Sequence, residues 1–301
     1  METGLENFLN IKEHFKHIHK TKSFLFHEQE HNLCYIHMMV VNGFFPRFLT
    51  ITGPKGSGKK TLAKHIGELY KNSYVAPDVK ISTIRDIIDN SYKQKTEMIY
   101  IIPDIDGMSK EAQNAILKVT EEPPNKARFV MTVEDLNNIL PTIKSRAMTL
   151  FMEPYSKDEL LDYITSIIKT NDTDLMLDVC ETPGEIDTFI KCGGEEFYNF
   201  VDKVVDNVGN VETSNALKIL LQLDVKDEGK GYDVPMFLKV FMRCAFIKSQ
   251  KAKDRFEAFD YLRMMPPTSE ALKRLKVRGA NKNMILTDWI FNIRATIDRK
   301  G

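Results

Sequence analysis

The chain has 301 residues, enough for two or three domains of ordinary size. Hydrophobic residues make up 43% and charged residues 28%, a balance that buries a core and excludes a disordered polyelectrolyte. The formal net charge of +0 excludes a global pull toward nucleic acid or membrane and leaves room only for local basic faces. Residues 4–19 read as an amphipathic helix, with Leu5, Phe8, Leu9, Ile11, Phe15 and Ile18 roughly on one face. The acids in this stretch make it unlike a signal peptide. A second helix is expected over 28–42, ended by Asn42–Gly43. The most apolar run, "CYIHMMVVNGFF", is too short and interrupted to span a bilayer, so a soluble protein is expected.

"FPRFLTIT" (45–52) is an apolar strand that runs into the glycine-rich "GPKGSGKKT" (53–61), and a helix is expected over 59–72. Strand, glycine loop and helix are the context of a phosphate-binding loop. Gly53, Gly56 and Gly58 let backbone N–H groups close around phosphate at a helix N-terminus, and Lys59 reaches the outer phosphates. One position departs from the pattern. Lys60 stands where a Ser or Thr hydroxyl meets magnesium, and an ammonium cannot donate an oxygen to a metal. Thr61 is one residue on and rotated by about 100°, a poor substitute. Phosphate binding through Gly53, Lys55, Gly56, Ser57, Gly58, Lys59, Lys60 and Thr61 survives this change better than magnesium-assisted hydrolysis does.

Further along, strands are expected at 74–80, 97–102, 128–133 and 148–152, and helices at 81–94 and 109–124, with Ser82 and Ser109 as N-caps. Pro123 and Pro124 stop the second of these helices. Residues 138–147 form a turn and a short helix. Strands alternating with helices give an α/β sheet with crossover connections. After Pro154 the pattern turns helical, opened by a capping box of Ser156 and Glu159. Boundaries are expected near 153 and 205, giving domains 1–153, 154–204 and 205–301, with "VKDEGKGYDVP" (225–235) dividing two helical groups.

Cys34, Cys180, Cys192 and Cys244 form no C-x-x-C pair, which supports reduced structural thiols and a cytoplasmic location. The seven histidines show no metal-ligand spacing, His27 and His31 included. The basic stretch 269–283 reads as a solvated helix face, and Leu286, Trp289, Ile290 and Ile293 as helix packing.

Four blocks together are similar to bacterial clamp-loader subunits of the AAA+ class. They are "TGPKGSGKKTLAKHIG", "VKISTIRDIIDNSYKQKTEMIYII", "DGMSKEAQNAILKVTEEPP" and "LNNILPTIKSR", spread over about residues 24–152. The resemblance implies an AAA+ P-loop parallel sheet domain, a helical lid and a C-terminal helical, collar-like oligomerisation domain. It places Pro103 and Asp104 where the second nucleotide motif carries its acidic pair, so proline replaces the first acid. Asp104 and Asp106 could still share a metal, although solvated acids at a strand end explain them as well. Thr132 falls at the polar sensor position, and Glu185 in "ETPGEID" takes the place of an ATP-contacting arginine. Arg146 in "LPTIKSR" keeps the arginine finger that the family inserts into a neighbour's site.

A chain with eroded hydrolytic parts and an intact finger matches the delta-prime pattern of the DNA polymerase III clamp loader. That reading implies a hetero-oligomer acting on a sliding clamp and primer-template DNA, with no membrane partner and no zinc. It leaves open whether ATP is bound and whether magnesium takes part. An active AAA+ motor subunit and a replication adaptor without nucleotide binding are the alternatives.

Overall fold

The computed structural model describes residues 29–70, 72–167, 173–208, 233–277 and 279–297. The expected helix at 4–19 and most of the break at 225–235 lie outside these residues. Chain contacts divide the protein into two compact units. The first comprises Met1–Ile168 with Thr182–Gly184, and the second Lys169–Glu181 with Glu185–Gly301.

The first unit is built on five parallel strands: β1 (Phe48–Thr52), β2 (Ser73–Val75), β3 (Met98–Ile102), β4 (Ala127–Val133) and β5 (Met148–Phe151), in the order β2-β3-β4-β1-β5. The alternation of strand side chains sorts the core into two layers. Leu49, Ile51, Ile99, Ile101 and Val130 point to one face and meet Leu62 and Ile66 of α2 (Lys59–Leu69) and Leu33 and Ile36 of α1 (Glu30–Val41). Phe48, Tyr100, Ile102, Phe129 and Met131 point to the other. They meet Ile84, Ile87 and Ile88 of α3 (Ile81–Tyr92) and Ile116 and Val119 of α4 (Lys110–Glu121). The strands are apolar on both faces because helices cover both, and all five end on the same edge of the sheet.

Local signals set most boundaries. The Ser109 hydroxyl accepts the Ala112 N–H at 3.2 Å, and α4 stops at Glu121 before the proline pair. Ser156 and Glu159 form the expected capping box at the start of α6 (Lys157–Ile167): the Glu159 carboxylate accepts the Ser156 N–H at 3.0 Å, and the Ser156 hydroxyl accepts the Glu159 N–H at 3.3 Å. The short α5 (Pro141–Lys144) precedes Arg146.

Two expectations need correction. Helix α3 begins at Ile81, with Lys80 and not Ser82 at its N-cap. Asp78 takes over the turn, accepting the Lys80 N–H at 3.1 Å and the Thr83 hydroxyl at 2.6 Å, and Ser82 falls within the first helical turn. Strand β2 covers only Ser73–Val75, because Pro77 lacks an N–H for the ladder and Asp78 turns the chain.

The second unit is helical: α7 (Thr173–Val179), most of α8 (Pro183–Lys191), α9 (Glu195–Asn207), α10 (Val234–Lys251), α11 (Arg255–Arg263), α12 (Met265–Leu275) and α13 (Lys282–Ile297). Its core centres on Trp289, whose ring meets Phe241 at 4.9 Å and Phe237 at 5.9 Å between centroids. The indole N–H donates to the Thr268 hydroxyl at 2.9 Å, so its polar edge is paired inside the core. Leu286, Ile290 and Ile293 are buried beside it, as their spacing predicts. In the basic stretch, Arg274 pairs with Asp288 at 2.9 Å. Among the described residues, no helix is long and apolar enough to cross a membrane.

Candidate phosphate-binding site

Strand β1 is buried along its whole length and delivers the chain to the sheet edge at Thr52. There Gly56 (φ +82) and Gly58 (φ +88) take left-handed backbone, which residues with a Cβ resist, and the loop turns into α2. The carbonyl groups of this loop are tied from several sides. Lys55 O accepts the Thr182 hydroxyl at 3.0 Å, Gly56 O accepts the Gly184 N–H at 3.1 Å, and Ser57 O accepts the Tyr155 hydroxyl at 3.0 Å. Gly184 approaches so closely that a Cβ there would lie 2.5 Å from the Gly56 Cα. With the carbonyls held, the N–H groups of Gly56, Gly58, Lys59 and Lys60 meet no acceptor among the described residues. This row of donors at the start of α2 is suited to an anion.

Lys59 is 7% exposed, and its ammonium donates to Gly53 O and Pro54 O, each at 2.7 Å. Burial pushes its pKa below the usual lysine range. The carboxylates of Glu134, Asp104 and Asp106 oppose that shift, and the Lys60 charge adds to it. The Ser57 hydroxyl is buried without a hydrogen-bond partner. A Cβ on Gly53 would lie 3.1 Å from it. Lys55 and Thr61 are exposed.

Strand β3 brings the second group of candidates to the same edge. Pro103 follows its last residue, and Asp104 then adopts left-handed backbone (φ +54), the sole described non-glycine residue to do so. Its N–H donates to the Thr132 hydroxyl of β4 at 3.0 Å, and its carboxylate pairs with the Lys60 ammonium at 2.5 Å. Asp106 accepts the Glu134 N–H at 3.0 Å. The structure therefore brings together Lys59, Lys60, Asp104, Asp106 and Thr132. It adds Glu134, Tyr155, Thr182 and Gly184, which sequence reasoning missed. Glu134 was within reach, since it is an acid just past the end of β4, as Asp104 is just past the end of β3. The other three come from distant parts of the chain.

The site does not suit magnesium. Lys60 offers an ammonium where the ion needs an oxygen, Pro103 offers no carboxylate, and the Asp104 carboxylate is already engaged by Lys60. Among the described residues, no group of three or more His, Cys, Asp and Glu side chains is placed to hold a metal.

Two further candidates have partners of their own. Glu185 does not project a free carboxylate as an acid repelling triphosphate would. It accepts the Lys239 ammonium at 2.5 Å and the Glu181 N–H at 2.9 Å within the second unit, so its charge is compensated there. Arg146 lies just past α5, 39% exposed. It donates to Thr142 O at 3.1 Å and pairs with the exposed Glu121 at 3.5 Å.

Residues 57–156, the stretch that holds most of these groups, match the family described as DNA polymerase III, delta subunit. The chain is similar to subunits of DNA polymerase III and of replication factor C. It is 23% identical to DNA polymerase III subunit gamma of Buchnera aphidicola subsp. Schizaphis graminum over 189 residues, 59% of this chain and 46% of the relative. It is 26% identical to the replication factor C small subunit of Haloarcula marismortui over 143 residues, 43% of this chain and 44% of the relative. The chain thus spans less than half the length of these curated relatives. A DNA polymerase III gamma subunit-related protein of Thermotoga maritima aligns with a TM-score of 0.47 at 17% identity, over 87% of this chain and 99% of that one.

Proposed function

We propose that this protein is a delta-prime-like subunit of a bacterial or phage clamp loader. It is a stator that holds its place in a hetero-oligomer and supplies Arg146 to a neighbouring subunit's ATP site. Its partners are the other loader subunits and, through them, a sliding clamp and primer-template DNA in the cytoplasm. The regions 1–153, 154–204 and 205–301 act as sheet domain, lid and collar.

The observation that carries this reading is the Lys60–Asp104 pair, 2.5 Å apart, beside Pro103. Hydrolysis needs an acid free to orient a metal and its water. Here proline replaces the metal-orienting acid and its neighbour Asp104 neutralises an ammonium, so the loop is fit to grip phosphate and unfit to activate water. The similarity to DNA polymerase III and replication factor C subunits supports the setting. The exposure of Arg146 supports its role, because a finger must be free to leave its own subunit.

Two assays test the reading. The isolated protein should show no magnesium-dependent ATP turnover, and robust turnover abolished by Lys59→Ala would return it to the motor class. In the reconstituted loader, Arg146→Ala should lower turnover at the adjoining site by about a thousandfold. Undiminished ATPase activity and clamp loading would remove Arg146 from the mechanism.

A further inference from the structure

Five charged side chains converge at the sheet edge: the ammonium groups of Lys59 and Lys60, and the carboxylates of Asp104, Asp106 and Glu134. A polyphosphate arriving here meets three acids and two bases. In a phosphate loop of ordinary sequence, magnesium held by the hydroxyl after the lysine and by a strand-end acid supplies the missing positive charge. Neither ligand is on offer here. An ammonium stands in the hydroxyl's position, paired with Asp104, and Pro103 stands where the metal-orienting acid would be.

We infer that the Lys60 ammonium, stationed by Asp104 at the mouth of the loop, takes the place of the metal, so that the loop holds the polyphosphate of a nucleotide without a divalent ion. The inference rests on the reading of this loop as a nucleotide site. Three further features support it. The N–H groups of Gly56, Gly58, Lys59 and Lys60 have no acceptor among the described residues, and the buried Ser57 hydroxyl has no partner, so the loop presents donors that its own chain leaves unpaired. Asp104 is fixed on its far side by its N–H to Thr132, which gives Lys60 a stationary anchor. Lys60 and Asp104 are 58% and 54% exposed, so a ligand can reach the pair where it stands, and an ammonium with three donors can serve a carboxylate and a phosphate oxygen together. An ammonium offsets charge but cannot lower the pKa of a water as a metal does. Binding without turnover follows from the substitution itself.

The test is titration of the full-length protein with ATP and ADP by calorimetry, once in EDTA and once in excess magnesium chloride. Wild-type affinity should agree within about twofold between the two buffers. Lys60→Thr should weaken binding in EDTA about tenfold or more, and magnesium should recover part of the loss. Asp104→Asn should weaken binding in EDTA less than Lys60→Thr does, since the ammonium remains but loses its station; a loss as large as that of Lys60→Thr would overturn the primary role of the ammonium. Both side chains are more than half exposed, and unchanged melting curves will confirm that the variants fold. Wild-type binding that vanishes in EDTA would overturn the inference and leave the nucleotide site standing, as would an unaltered Lys60→Thr variant. Absence of binding in both buffers would overturn the inference together with the nucleotide site, and leave the Arg146 role to its own assay.

Discussion

The phosphate-loop corner and the Arg146 edge belong to the same compact unit, yet they are held in opposite ways. At the loop, donors on Thr182, Gly184, Tyr155 and Lys59 reach the carbonyls of five successive residues, Gly53 to Ser57. Lys59 and Thr182 are buried, and Thr182, Gly184 and Tyr155 come from far along the chain, so the loop is shaped before any ligand arrives. At the edge, Arg146 has one carbonyl on its own turn and one exposed carboxylate at 3.5 Å. A solvent-screened pair of that kind contributes well under about 1 kcal/mol. The difference teaches where each group's partner is to be sought. The carbonyls of the loop are satisfied from within the unit, whereas the contacts of Arg146 are few and exposed.

Mutations can break or sharpen this contrast. The largest effect is expected at Gly184, where a Cβ would lie 2.5 Å from the Gly56 Cα. Gly184→Ala should cost about 1–3 kcal/mol by overpacking, seen as a lower urea midpoint; an unchanged midpoint would mean that the approach to the loop carries no energy. Removal of the Ser156 hydroxyl should cost about 1 kcal/mol through loss of the capping box, measurable in the same way. Ser57→Ala should act in the other direction. Its buried hydroxyl has no partner, so deleting it should stabilise the free protein by up to about 1 kcal/mol, while nucleotide affinity falls if the hydroxyl serves the ligand. The smallest effect belongs to the edge. Arg146→Ala and Glu121→Ala should each move stability by no more than about 0.5 kcal/mol, and a larger loss would mark Arg146 as a structural residue instead of a free one.

Cysteine chemistry offers a check on the second unit. Burial pushes the thiols of Cys180 and Cys244 up to about 12 and raises that of Cys192 as well. The thiolate is the reactive form, so these three should resist a thiol reagent at pH 8 until the protein is unfolded. Rapid labelling in the native state would contradict their burial.

Much of the first unit is legible in the sequence because its signals are local. The 3.6-residue period of α2 and α3, the doubly apolar strands β3 and β4, the Ser109 cap, the proline stop and the Ser156–Glu159 box each involve residues a few positions apart. The glycine loop was legible for the same reason, since its chemistry depends on backbone freedom at fixed spacing. Ser82 was misread because a competing side chain, Asp78, lay just outside the helical pattern. The pairing of Glu185 with Lys239 was not legible, because the two lie 54 positions apart and no local rule points to it.

The sequence by itself determined that a strand delivers a glycine loop to a helix, that Lys60 cannot ligate magnesium, and that proline replaces an acid at position 103. These are properties of residue type and spacing. The tertiary structure decided the strand order β2-β3-β4-β1-β5, which places the end of β3 and the loop after β1 on either side of β4. It also decided that Asp104 meets Lys60, that Thr132 accepts the Asp104 N–H, and that Gly184 closes on Gly56. The physical reason is range. Periodicity and capping act over a few residues, whereas the partner of a buried carbonyl or an ammonium is whichever group folding brings within about 3 Å.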